Sequence, residues 1–576
     1  MPNNRAKNYA VVDFCTNRQK APNDAAISTG AKVFLLVNDN EIPVSQISLR
    51  YGLNAIPDAT ILIAMGHDAD TGKPSAIYSQ VASITQMAPL KIKIEGNLGD
   101  WNIGGTIKWP TAQPAAIIFT GYVSGLSYRR TSGRVSLVIN AVNQLFDLAA
   151  SAAGSVNIVP GAPADLLLPA LFIGPGAAAA GAADAVFANA LRLDVLTDFS
   201  KAVLNCLYYI ANKDYILTQN KMMWCDPAQG DNTIKQIKNE RALKVLKGDP
   251  AAEWLGMYNY FEVYKNNYPI NLPSFVLDNA VASISTQISS SLASTSLWGI
   301  LIEVIAAQFG CGVIPLANSA IFAPVLPMDR QHAIAIEPED FVDFNFSCLS
   351  KRPLYGVGVI SNYSFLNTTL LPRLAPCVGS SFVPDPAATG MWLFTQAPAW
   401  LDGYVNIDPA RATNPEINKT LTQPSNSAVT GANTAQKTNR NIANETAAYS
   451  TAQNQYAKMM YAANALNSRE GILVGKLRFD VAPGTTIKIK SAGEFQKQGY
   501  PGVDELAESL FGFVARTIIM IDAEQSVAST SFELTNLRTE SENKTNRFAL
   551  DTHPFFDSHF QYAPLVKELS LATPAR

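Results

Sequence analysis

The sequence predicts an α+β, mainly β protein with two related antiparallel β-barrel domains joined by mixed α/β middle domains. Three observations lead there. A long signature occurs twice, at positions 89 and 483 onward. Strand-like stretches alternate apolar and polar residues with a period of two. The chain of 576 residues is 48 % hydrophobic and 16 % charged, the balance of ordered globular material. A chain of this length holds roughly three or four domains of about 150 residues each.

The first copy of the signature runs Ala88-Pro89-Leu90, then Lys91-Ile92-Lys93-Ile94, then Ile117-Ile118-Phe119-Thr120-Gly121-Tyr122-Val123, a hairpin, and Val135-Ser136-Leu137-Val138-Ile139. The second runs Ala482-Pro483-Gly484, then Thr486-Ile487-Lys488-Ile489-Lys490, then Leu510-Phe511-Gly512-Phe513-Val514, a hairpin, and Ser531-Phe532-Glu533-Leu534. Aligned on the prolines, the distance to the shared glycine is 32 residues in one copy and 29 in the other. Internal repeats describe architecture before any motif does, and two copies are too few for a solenoid. Gly121, Tyr122 and Val123 are therefore set against Gly512, Phe513 and Val514 as repeat positions. Glycine recurs there because it permits a bulge or a close backbone approach.

Taken in order, residues 1–29 form a polar N-terminal arm and residues 30–150 the first barrel. Within that barrel, Lys32–Val37 and Ile42–Leu49 pair around the turn Asn38-Asp39-Asn40, and Ile56–Ile63 adds a strand. The barrel covers its own edges by curling. Residues 151–324 are a mixed α/β middle domain. An Ala/Gly/Pro-rich connection opens it, and helices follow at Leu191–Ala211 and Thr295–Phe309. Residues 325–403 return to strand patterns, including Tyr355–Ile360, and are read as a β segment of the chain's second half. Residues 404–444 are a polar extended arm, with no aromatic residue between Tyr404 and Tyr449 and no means of building a core. Residues 445–545 hold a helix at Glu445–Leu466, with Tyr449, Tyr456, Met460 and Ala463 near one face, and the second barrel; 546–576 are a C-terminal tail.

The formal charge of −3 gives no bulk attraction to nucleic acid or anionic membrane. Arg129, Arg130 and Arg134 flank a hairpin tip and read as solvated charge. The six cysteines lack zinc-ligand spacing and read as reduced thiols. The N-terminus has no signal-peptide core, and Leu297–Phe309 is too short to cross a bilayer, so the chain is expected to be soluble and not exported by itself. No catalytic, cofactor-binding or metal site is assigned. Gly121-Tyr122-Val123-Ser124-Gly125 has its serine in the wrong place for a hydrolase elbow. Gly356-Val357-Gly358 lacks the third glycine of a dinucleotide fingerprint. Histidines and carboxylates gather only at Asp551–His559, where Pro554 opposes a helix that would align ligands. That stretch is expected to dock Phe555, Phe556 and Phe560 into an apolar site.

The two β copies resemble the tail hub or baseplate hub proteins of tailed bacteriophages. That family includes late control protein D of contractile phages and the N-terminal part of type VI secretion spike proteins. The similarity rests on Ile117–Val123 with the strand to Ile139 and the exit Leu145-Phe146-Asp147-Leu148. It extends to Val481–Gly484, Phe511–Val514, Ile521–Ala523 and Ala528–Arg538, and to the helix ahead of the second barrel. The resemblance implies a structural virion protein without enzymatic activity. It implies a homotrimer in which two hub barrels per chain surround a central channel and adapt a six-fold tail tube to a three-fold spike. The implied partners are the central spike protein, a tail tube or tube-adaptor protein, and tape measure and baseplate wedge proteins. No cofactor is implied. The implied location is the tail tip or baseplate of the virion, with the host cytoplasm during assembly. Two alternatives stand beside it: a tail-associated cell-wall or polysaccharide hydrolase, and a receptor- or carbohydrate-binding tail protein using Met391–Trp400.

Overall fold

The computed structural model describes residues 10–13, 30–38, 40–66, 77–82, 84–95, 115–131, 134–150, 240–248, 254–259, 296–325, 333–337, 341–347, 354–361, 377–384, 386–387, 390–398, 451–490, 508–522, 527–544 and 571–574. The expectations placed on the polar arm 404–444, on Leu191–Ala211 and on Asp551–His559 lie outside the described residues.

The first half holds β1 (Ala10–Asp13), β2 (Gly30–Val37), β3 (Asn40–Pro43), β4 (Gln46–Gly52), β5 (Asp58–Met65), α1 (Ile77–Ala82), β6 (Pro89–Glu95), β7 (Ala115–Thr131), β8 (Arg134–Asn143) and α2 (Phe146–Ala150). Period-two alternation sets its core. Ile47, Leu49 and Tyr51 on β4, Ala59, Ile61 and Ile63 on β5, and Leu90, Ile92 and Ile94 on β6 are all buried. Each large side chain so buried contributes about 1.5–3 kcal/mol. The single strand expected at Ile42–Leu49 is two strands. Pro43 ends β3, which pairs with β2, while β4 starts at Gln46 and pairs with β5. A proline has no N–H to offer a ladder, so the chain changes partner there.

The middle carries α3 (Glu240–Lys247), β9 (Gly256–Asn259), a helix α4 over residues 297–309, β10 (Cys311–Pro315) and β11 (Ser319–Pro324). Ser296 caps α4 by accepting from the Gly299 N–H, its turns Ile300–Ala306 are π-helical, and Gly310 at φ 63° ends it. A left-handed residue is the usual helix stop, and glycine takes that conformation without strain. Strands β9, β10 and β11 form a small sheet in which β10 and β11 are wholly buried. Next come β12 (Ile334–Ile336), β13 (Phe341–Ser347), β14 (Leu354–Ser361), β15 (Cys377–Phe382) and β16 (Met391–Gln396), of which the last three make a separate sheet.

The second half opens with helix α5, described over residues 451–464. Its buried surface is broader than one face, with Ala452, Tyr456, Ala457, Met459 and Tyr461 all enclosed while Met460 and Ala463 are half-buried. Strands β17 (Glu470–Lys476), β18 (Thr486–Ile489), β19 (Leu510–Asp522) and β20 (Val527–Thr539), helix α6 (Glu540–Lys544) and β21 (Thr573–Pro574) complete the described chain.

One strand order is used twice. In the first half it is β2-β6-β7-β8-β5-β4, and in the second β12-β18-β19-β20-β17-β13. Numbered by position in the chain, both read first, fourth, fifth, sixth, third, second. The halves differ in one direction: β2 is antiparallel to β6, whereas β12 is parallel to β18. They are also joined, because β4 pairs antiparallel with β19, and a single mainly antiparallel sheet of 15 described strands runs through both.

Candidate functional site

The matching register of the halves can be followed atom by atom. In the first, the Met87 N–H donates to the Val123 carbonyl at 2.7 Å and the Val123 N–H to the Ala88 carbonyl at 3.0 Å. In the second, the Gly484 N–H donates to the Val514 carbonyl and the Val514 N–H to the Thr485 carbonyl, both at 2.8 Å. Gly121 lies opposite Leu90 and Gly512 opposite Ile487, each the second residue of its strand. Tyr122 lies opposite Pro89, and Phe513 opposite Thr486. Bulges follow at the same step, between Val123 and Gly125 on β7 and between Val514 and Arg516 on β19.

The proline alignment is therefore three residues out. Pro89 opens β6, and its counterpart is Thr486, which opens β18; Pro483 sits in the turn before that strand, beside Gly484. Both positions suit proline, one as the first residue of a strand and one inside a turn, so the residue type alone misplaces the register.

The two glycines meet different needs. A Cβ on Gly121 would lie 2.0 Å from the Val142 carbonyl oxygen, so backbone passes too close for any side chain. The nearest atoms to a Cβ on Gly512 would be side-chain atoms, Leu537 Cδ2 at 3.0 Å, Leu534 Cδ1 at 3.2 Å and Leu534 Cβ at 3.4 Å, at a second irregularity between Phe511 and Phe513. Tyr122 donates its hydroxyl to Asp147 Oδ2 at 2.9 Å, which ties β7 to α2; Phe513 has no such group.

The feature with the most functional content is the seam between halves. Strand β4 runs along the distal part of β19 in the register Gly52 to Arg516, Arg50 to Ile518, Ser48 to Met520 and Gln46 to Asp522. The two ends of β19 pack in different cores. Leu510 and Val514 belong to a cluster confined to the second half's strands, whereas Ile519 and Ile521 belong to the large core that the first half shares with the middle elements and α5. The bulge strengthens the join, since the Ala515 carbonyl accepts from the Leu53 N–H at 3.0 Å. Asn54, at φ 58°, then exchanges two hydrogen bonds with Val313 on β10, at 3.0 and 2.8 Å. Tyr51 is enclosed in the same core and donates to the Ile118 carbonyl, and burial pushes its phenol well above the ordinary range. The C-terminal segment adds a stitch that the sequence did not reveal. Leu571 is buried and donates to the Phe479 carbonyl at 2.7 Å, and β21 pairs with β7 at Ile117. Phe555, Phe556 and Phe560 lie outside the described residues.

The surface carries a second feature. On β16, Met391, Trp392 and Phe394 are exposed, with Trp392 stacked on Phe394 at 5.9 Å and edge-on to Tyr355 at 5.2 Å. Arg129 and Arg130 are exposed on β7. Among the described residues no group of His, Cys, Asp and Glu is gathered to hold a metal ion, and no helix is long and apolar enough to cross a membrane. All four histidines lie outside the described residues. Cys311 is buried, and burial pushes its thiol up.

No family model matches this sequence, and no curated protein matches it. Solved structures do. The tail protein from Neisseria meningitidis MC58 is similar at 9 % identity over 88 % of this chain and 96 % of that one, with a TM-score of 0.42. The 43 kDa tail protein of prophage MuSo2 from Shewanella oneidensis is similar at 7 % identity over 88 % and 98 %, with a TM-score of 0.38. The E. coli c3393 protein, a component of the type VI secretion system, is similar at 8 % identity over 90 % and 80 %, with a TM-score of 0.31. The chain's structural neighbours are phage tail proteins and a type VI secretion component.

Proposed function

We propose that this chain is a structural, non-enzymatic component of a phage tail: a hub whose three copies surround a channel and join a six-fold tube to a three-fold spike. The observation that carries the reading is one strand order used twice in a single polypeptide and joined edge to edge through β4 and β19. Contacts between unlike surfaces generate a closed ring when the rotation per step fits. A chain with two equivalent units presents six such units with three subunits. Its partners in this reading are the central spike, a tube or tube-adaptor protein, and tape measure and wedge proteins, and its place is the tail tip. The repeated units of the proposal are β2 with β4–β8 in the first half, and β12, β13 and β17–β20 in the second. The test is the native mass and electron-microscopic symmetry of the purified protein, alone and with its spike. A trimer with pseudo-six-fold density is expected; a particle with two-fold or true six-fold subunit symmetry would refute the adaptor.

A second reading, recognition of a surface carbohydrate, is favoured by the stacked and exposed Trp392 and Phe394. Aromatic faces of this kind suit the apolar face of a sugar ring. Under that reading Trp392→Ala abolishes binding to host-surface polysaccharide in a pull-down while leaving the native mass unchanged.

A further inference from the structure

The end of the chain sits in a socket whose walls come from three parts of the molecule. On the first half, β21 pairs antiparallel with β7, Thr573 opposite Ile117 and Pro574 opposite Ala116. In the middle, Thr573 donates its hydroxyl at 2.9 Å to Asn318 Oδ1, in the turn between β10 and β11. On the second half, the Leu571 N–H donates to the Phe479 carbonyl at 2.7 Å. Leu571 is 0 % exposed and Ala572 3 %, both within the large apolar core. Ala572 would come next opposite Ile118, but the Ile118 carbonyl is taken by the Tyr51 hydroxyl. There the segment leaves the ladder and bonds to Phe479 instead.

Each wall is held by bonds that do not involve residues 571–574. Ile117 and Ala116 pair on their other side with Lys93 and Ile94 of β6. The Asn318 turn is closed by the Leu316 N–H, which donates to the Ser319 carbonyl at 2.8 Å. Beside Phe479, the Arg478 N–H donates to Thr530 Oγ1 at 2.8 Å, and the Arg478 guanidinium pairs with Asp480 at 2.7 Å. The halves are joined elsewhere, by β4 with β19, and Asn54 with Val313 ties in the middle sheet. The terminal segment is thus added to a framework that stands without it. Elements held by few hydrogen bonds open at a lower free energy than the whole fold.

We infer that this is a peptide socket built for strand addition, filled by the chain's own end, which opens and recloses while both halves stay folded. Sites of this kind draw affinity from main-chain bonds and selectivity from pockets for alternate side chains. The ligand is an extended segment with a leucine, then a small residue, then a threonine hydroxyl. Leu571 fills the apolar pocket, Ala572 accepts tight enclosure, and Thr573 reads Asn318. Pro574 has no N–H with which to extend the ladder. The result is a clasp across three parts of the fold, set by the last residues of the chain. It lies within one chain and goes beyond the trimeric reading without depending on it.

Hydrogen exchange on the native protein tests the opening. The Leu571 amide should exchange about a hundredfold faster or more than the Leu53 amide, which is bonded to Ala515 at the seam. Equal rates would mean that the segment opens only with the whole fold, and would overturn the clasp. Disulfide trapping tests the socket. In full-length Asn318→Cys/Leu571→Asp protein the chain's own end no longer fits the apolar pocket. A synthetic peptide of residues 569–576 carrying Thr573→Cys, added under mild oxidation, should attach at position 318, read by peptide mapping. The same peptide with Leu571→Asp should not attach. Trapping of both peptides alike, or of neither, overturns the socket. Circular dichroism of the variant should match that of the parent protein; a variant that fails to fold shows residues 571–574 to be part of the core and overturns the proposal. In full-length Asn318→Cys/Thr573→Cys protein the disulfide should lie within one chain on a non-reducing gel. Disulfide-linked dimers through these positions would assign the occupant to a second copy and overturn filling by the chain's own end.

Discussion

Met87 and Gly484 hold the same backbone position in the two halves, each in the left-handed region, with φ of 63° and 86°. Each donates its N–H to a valine carbonyl at the bulged strand, Val123 or Val514. Only one of them is the residue that this geometry prefers. An L side chain in the left-handed region costs about 1–2 kcal/mol. Met87→Gly relieves that strain, less about 0.4–1 kcal/mol for the extra freedom of the unfolded chain. We expect a net gain of up to about 1.5 kcal/mol and, for Gly484→Ala, where the same two terms are reversed, a loss of up to about 1.5 kcal/mol. Urea denaturation of purified protein measures both. A less stable Met87→Gly protein would mean that packing of the methionine side chain outweighs the strain.

The two repeat glycines should respond unequally to alanine. At Gly121 the new methyl would strike the Val142 carbonyl, which is fixed backbone, so Gly121→Ala should cost about 3 kcal/mol or more and reduce the yield of folded protein. At Gly512 the nearest atoms are those of leucine side chains, the tightest of them at flexible ends, and Gly512→Ala should cost about 1 kcal/mol. Equal losses in the two variants would show that the close approach at Val142 is relieved by backbone movement.

Tyr122→Phe tests the link between β7 and α2. The change removes the hydroxyl that donates to Asp147 and leaves the ring in place. A loss of about 1–3 kcal/mol is expected, because a buried carboxylate gives up a donor. Phe513→Leu, a change of apolar shape alone, should not alter hydrogen exchange in α2, whereas Tyr122→Phe should.

Alkaline pH should expose the burial of Tyr51. Its folded phenol titrates above the ordinary value of 10.0, with desolvation as the cause. The folded state therefore keeps a proton that the unfolded state releases, and stability falls as pH rises above about 10. Below that pH both states hold the proton and the group contributes no slope. In Tyr51→Phe the fall should be shallower, measured by denaturation from pH 8 to 11; an unchanged slope would assign the alkaline loss to other groups.

The strands of both halves were legible because Leu90, Ile92 and Ile94 in the first, or Ile487 and Ile489 in the second, repeat with the period of a half-buried sheet. The register between the copies was not. It is fixed by the turn at Met87 and Gly484, where neither residue type nor spacing is shared, while two prolines in unrelated roles offered a false anchor. The break of the second strand at Pro43 was available in principle, since a ladder cannot use that residue's nitrogen. The seam was not available at all. Thr517, Ile519 and Ile521 alternate much as Leu126 and Tyr128 do, and periodicity says which face is apolar without saying which strand lies alongside. Leu571 was hidden for a related reason, as a single apolar residue near the chain end carries no pattern of its own.

The β4–β19 seam also bears on how such a particle would come together in a cell. Its two strands are tethered by one chain, so they meet at a local concentration that does not change with the abundance of the protein. The join forms within one chain and needs no encounter between chains. In a ring of three chains every second join would then be immune to dilution, and only the joins between chains would respond to expression level. Under the proposed ring, overproduction and scarcity would act on the joins between chains alone, one concentration-dependent step per chain.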